Sequence, residues 1–145
     1  MHAIVGMEIL KPVVALAAWT MVMWVWMYAT RIPAMNAVKM DPDALARDPS
    51  RTLDDILPAQ VQWKAHNYNH LHEAPTVFYA VALVLAVLGQ GDGVNASIAW
   101  AYVGLRVVHS LLQATVNKVM VRFVLFALSS VALMALVLHA ALTVF

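Results

Sequence analysis

The sequence predicts an all-α integral membrane protein, a four-helix bundle built as a single domain over residues 1–145. Three observations carry that expectation. The chain of 145 residues is 63% hydrophobic and only 12% charged, whereas soluble domains carry about 25% charged residues. Its mean hydropathy is +0.75. The charges it does have are gathered between long apolar runs. Pro12 to Thr30, Ala74 to Gly91 and Phe123 to Phe145 contain none, and Gly93 to Asn117 contains only Arg106. A membrane-crossing helix needs about 20 mostly apolar residues to bridge ~30 Å of hydrocarbon. All four runs reach or approach that length.

Composition also excludes several classes. Nine Lys and Arg against eight Asp and Glu give a net charge of +1, which is not the footprint of a nucleic-acid binder. The apolar content excludes disorder. With no cysteine there is no disulfide, no thiolate metal site and no thiol nucleophile of the chain's own. Thiol chemistry here needs a small-molecule thiol.

The spans are expected over about residues 9–31, 73–90, 95–116 and 119–143. The first is a span rather than a signal peptide. It is longer than a typical apolar signal core, has no small-residue cleavage site after it, and carries Trp19, Trp24, Trp26 and Tyr28, residues that suit the membrane interface. The first connection, about residues 32–58, holds four prolines and five aspartates, a density that favours turns. It reads either as a loop that closes over something or as a passive linker. The second helix is expected to start near Pro58 or Ala59, to extend beyond the hydrocarbon, and to loosen at Pro75, which lacks a backbone donor. Gly89-Gln-Gly-Asp-Gly93 is a tight turn. The short Val116–Met120 connection makes the last two helices antiparallel neighbours.

Arg31, Lys39, Arg47, Arg51 and Lys64 fall in or beside the first connection, Lys118 and Arg122 beside the third, and none in the second. The positive-inside rule then places the first and third connections in the cytoplasm and both termini outside, in a multi-pass protein of a bacterial inner membrane.

Ionisable groups inside spans are costly and face a bundle interior or a cavity. Arg106, His109, Ser110, Gln113 and Asn117 recur at helical spacings on one face of the third span. His66, Asn69 or His70, and Glu73 form a second stripe leading into the second span. Taken alone, Ser110 and Gln113 read as interhelical glue. Arg106 calls for an anionic partner, and Glu73 is the expected one. Arg122, by itself a positive anchor, begins the fourth span across a short turn from Arg106, so the two arginines approach one place and suit a small anion. The histidines show no H-E-x-x-H pattern and no metal site is expected. A haem- or metal-binding bundle is the weakest reading.

The runs Asn69-His-Leu-His-Glu-Ala-Pro-Thr-Val-Phe-Tyr79 and Leu105-Arg-Val-Val-His-Ser-Leu-Leu-Gln-Ala-Thr-Val-Asn-Lys-Val-Met-Val-Arg122 resemble bacterial members of the MAPEG family, the membrane-associated proteins in eicosanoid and glutathione metabolism. The resemblance implies a four-helix bundle that assembles as a homotrimer in membrane lipid, with glutathione as co-substrate between subunits. Within it, Glu73 corresponds to the family's helix-two Glu, Arg106 and His109 to the helix-three Arg and its polar neighbour, and Arg122 to the catalytic Arg facing the glutathione sulfur. His66, Asn69, His70 and Gln113 complete the implied binding set. His66 and His70 stand where the family has Arg and Asn, and Gln113 where some members carry Tyr. Two functions follow as expectations: a glutathione-dependent transferase or peroxidase acting on lipophilic electrophiles, or a non-catalytic scaffold holding a lipid, quinone or other amphiphile between subunits.

Overall fold

The computed structural model describes residues 6–145. Among them every regular element is helical: α1 (Leu10–Ala37), α2 (Pro42–Ala46), α3 (Leu53–Ile56), α4 (Ala59–His70), α5 (Ala74–Val87), α6 (Val94–Thr115) and α7 (Val119–Val144). Three stretches are long and apolar enough to cross a membrane: Leu10–Ala37, Ala59–Val87 and Val119–Val144. The 22-residue α6 has spanning length but is the most polar of the long helices, because it carries the Arg106 stripe.

α1 runs through Pro33 to Ala37, further than the expected end near residue 31. A proline removes one helical donor and strains one turn, but the surrounding turns of a 28-residue helix hold. The helix ends where Lys39 takes a positive φ of 49°. The connection that follows is not a bare loop. Asp41 caps α2 by accepting from the Asp43 amide at 3.0 Å, with Pro42 at the first helical position. The Asp55 carboxylate accepts from the Thr52 amide at 2.7 Å and hydroxyl at 2.9 Å at the start of α3. Those two bonds, the amide's first, hold the Asp55 carboxyl below its ordinary range.

The second apolar stretch breaks at Leu71–Glu73 instead of continuing. Pro75 has no N–H for the Leu71 carbonyl and its ring crowds that position. The helix stops a turn early and restarts with Pro75 in its first turn. The break lets the two halves choose different partners: α4 packs on α1 and α6, α5 on α7 and α1, and α6 on α7.

The core follows from apolar spacing. Ile9, Leu16 and Met23 recur every seven residues and are fully buried, with Phe78, Ala82, Leu85, Ala99 and Leu136 opposite. Phe78 stacks on Tyr102 at 4.5 Å between centroids. The outer surface is apolar as well. Only 17% of the most apolar window of α7 is buried within one chain, and Val131, Met134 and Leu138 are exposed. Such a surface requires lipid or another apolar partner.

Candidate functional site

The site lies at the end of the molecule that holds the long connection, the α4–α5 break and the α6–α7 turn. α6 supplies its centre. Tyr102, Arg106, His109, Ser110 and Gln113 all lie buried on one helical face. Arg106 is only 1% exposed. Its Nη2 donates to the His70 carbonyl at 3.3 Å, while Nε and Nη1 are buried with no partner among the described residues. Buried, unpaired donors of this kind cost about 1–3 kcal/mol or more each when nothing binds them.

The Glu73–Arg106 ion pair expected from depth alone is not formed. The Glu73 carboxylate, 65% exposed, lies 2.7 Å from Nδ1 of His70. A histidine three residues earlier at a helix break is a nearer partner than a guanidinium on another helix. Arg106 thus has a carbonyl for company and no carboxylate.

Arg122, in the first turn of α7, donates from Nη1 to the Asn117 side-chain oxygen. Asn117 forms the α6–α7 turn with a φ of 53°, a left-handed conformation that asparagine tolerates better than most residues. The Arg122 Nε is buried without a partner among the described residues. His70, His109 and Arg122 join Val119, Phe123 and Phe126 around a cleft of about 240 Å³. One wall is cationic and polar, the other apolar and open toward the exposed face of α7.

The remaining expected site residues divide. Gln113 is buried on the α6 stripe and its Oε1 has no partner. His66 is drawn away: its Nε2 lies 2.9 Å from Asp54 of α3, which also accepts from Gln62 at 2.7 Å. Gln62 in turn accepts from Arg31 at 3.2 Å. This chain of contacts fastens α3 and α1 to α4. Asn69 is exposed and makes no side-chain hydrogen bond among the described residues. Asn67 takes the inward place, fully buried and donating to Ser110. The two asparagines are two residues apart, and only the helix phase decides between them. Phe126 was not singled out from sequence. Its position one turn after Arg122 was the available signal.

The MAPEG family model matches residues 9–142, nearly the whole chain and all of the site just described. The chain belongs to the MAPEG family. No curated protein and no solved structure matches it. MAPEG membership, with the apolar helices, makes this an integral membrane protein. Fold and family alone do not assign a reaction, so the chemistry must be argued from the cleft.

Proposed function

We propose that this MAPEG protein is a glutathione-dependent transferase or peroxidase acting on lipophilic electrophiles. In this reading α6 crosses the membrane as a fourth span, its polar stripe turned inward, and three copies assemble around the sites. The long connection and the α6–α7 turn are cytoplasmic and both termini are outside.

The observation that carries the proposal is the set of unsatisfied donors. Nε and Nη1 of Arg106 and Nε of Arg122 are buried, cationic and unpartnered at one end of one bundle. Such donors suit an anionic ligand, which offsets the cost of burying them. A chain without cysteine requires an external thiol for thiol chemistry. A guanidinium beside the sulfur favours the thiolate, the nucleophilic form. That Arg122 lines the cleft with Phe123 and Phe126 supports this role for it. The thiolate attacks the electrophilic atom, and the bond to the leaving group breaks with its electron pair. An apolar electrophile reaches the cleft from the lipid side.

The test is the ultraviolet thiolate band of protein saturated with glutathione near neutral pH, followed by chlorodinitrobenzene and lipid-hydroperoxide assays. The wild type should show the band, Arg122→Leu should abolish it, and Arg122→Lys should retain part, since the charge stays but the planar fork is lost. Binding of glutathione with no band up to the free thiol's pKa defeats the catalytic reading. The second reading, an amphiphile scaffold, then gains, because α5 and α7 also form an apolar groove lined by Val77, Leu133, Met134, Val137 and Leu138.

A further inference from the structure

The cleft is lined by His70, whose imidazole meets the exposed Glu73 carboxylate just outside it, a dyad that the reading above does not use. His70 is the last residue of α4, and Glu73 opens α5 after the break. Their contact, Nδ1 to Oε2, is 2.7 Å. An ionised carboxylate only accepts, so the neutral ring carries its hydrogen on Nδ1 and leaves the Nε2 lone pair free. Among the described residues Nε2 has no hydrogen-bond partner, although His70 lines the cleft with Arg122.

The ring is also held in place. Its centroid lies 5.1 Å from that of His109 and 5.8 Å from that of Phe126, and Arg106 holds the His70 carbonyl. The other histidine–carboxylate contact among the described residues, His66 with Asp54, uses Nε2 and does not line the cleft. Position in the cleft separates His70 from His66, and the Glu73 contact separates it from His109, which lines the same cleft.

We propose that His70, oriented by Glu73, is the proton acceptor for the thiol that Arg122 stabilises as thiolate. The inference rests on the glutathione reading and adds a residue to it. The S–H bond breaks, its electron pair stays on sulfur, and the proton moves to Nε2 of His70. Glu73 then faces an imidazolium and balances its charge. The sulfur forms its bond to the electrophile, and the proton leaves with the departing group or to water. The charged and titratable groups facing His70 are Glu73 from its own segment, Arg106 and His109 from α6, and Arg122 from α7. The arginines favour the thiolate and oppose the imidazolium, while Glu73 and the new thiolate favour it.

The experiment is calorimetric titration of the full-length protein in detergent with glutathione, repeated in buffers of different ionisation enthalpy. It yields the protons released per site, and the thiolate band is read on the same samples. Near pH 7.5 the wild type should show the band and release almost no proton, because the proton stays on His70. His70→Gln should release about one proton per bound thiolate, or lose the band. Glu73→Gln should move in the same direction by a smaller amount. His72→Ala is the control, since His72 meets the carbonyl and ring of Tyr68 and does not line the cleft, and should match the wild type. Gel filtration confirms that each variant is folded. A wild type with the band that releases a full proton overturns the dyad and leaves the glutathione reading standing, as does a folded His70→Gln that matches the wild type in band and proton count. No binding heat with the wild type overturns the glutathione reading and the dyad's role with it.

Discussion

The two ends of the molecule handle their polar groups in opposite ways. At the glycine end, the α5–α6 turn meets the start of α1. Asp92 accepts from the Gly6 amide at 2.7 Å and the Glu8 amide at 3.0 Å, and Ile9 donates to the Gly91 carbonyl at 2.9 Å. His139 Nδ1 lies 2.6 Å from Asn95 Oδ1, and Asn95 donates to Gln90 at 2.8 Å. Each of these groups has a partner. At the loop end, Arg106, Arg122 and Gln113 keep buried polar atoms with none. A closed hydrogen-bond clasp stabilises structure. A set of buried orphan polar atoms is a cost that a ligand would offset, which is the ground for proposing the binding site there.

The comparison predicts different responses to mutation. The largest loss of stability belongs to the glycine end. A Cβ at Gly91 would lie 2.0 Å from the Gly6 carbonyl oxygen and 2.6 Å from Cγ2 of Ile9. Backbone cannot yield as a side-chain tip can, so Gly91→Ala should cost about 3 kcal/mol or more, the upper end of the range for overpacking. Thermal unfolding in detergent measures it. The surviving folded protein should bind glutathione as the wild type does. Normal stability would show that the two segments are not clasped.

An intermediate effect is expected inside the loop end, where Asn67 Nδ2 has an acceptor although its Oδ1 has none among the described residues. Ser110→Ala leaves the buried Asn67 amide without its acceptor and should cost about 1–3 kcal/mol. Asn67→Leu with Ser110→Ala should recover part of that. A double-mutant cycle by thermal unfolding checks it, and strictly additive losses would show that the two side chains do not interact.

The smallest effect is one that acid removes. The Gly6 amide, and after it the Glu8 amide, hold the Asp92 carboxyl below its ordinary range. A lowered carboxyl pKa in the folded state contributes stability above the unfolded value, about 3.9, and that contribution is lost as pH falls through the folded value. The wild type should therefore exceed Asp92→Asn at neutral pH, and the gap should close as the pH is lowered below about 4. Paired unfolding curves across that range test it. A gap that widens in acid would have the wrong sign.

Much of the architecture was legible because charge is scarce. Runs without charge announce helices that cross apolar surroundings, and three of them are the three most apolar helices of the structure. The Arg106 stripe was legible for the same reason, since five polar residues at helical spacing have one face to share. What escaped were choices between close alternatives. α1 runs through Pro33, past its expected end near residue 31, whereas the loosening expected at Pro75 became a full break. Glu73 turned to His70 because the nearer of two partners wins. Asn67 and Asn69 are both next to the stripe in sequence, but only one points inward.

The central claim is that the buried arginine donors form a seat for an anionic ligand, and Arg106→Met tests it most directly. Unfolding of wild type and variant is measured with and without glutathione at about 100 times the wild-type Kd. Ligand binding at that ratio stabilises a protein by about 2.7 kcal/mol, so the wild type should unfold at a clearly higher temperature with glutathione. Because Arg106 has no carboxylate partner to strand, the unliganded variant should be as stable as the wild type or more so. It should gain nothing from glutathione. A wild type that glutathione does not stabilise would contradict the account. So would a ligand-free Arg106→Met that loses about 3–5 kcal/mol, the signature of a broken buried ion pair.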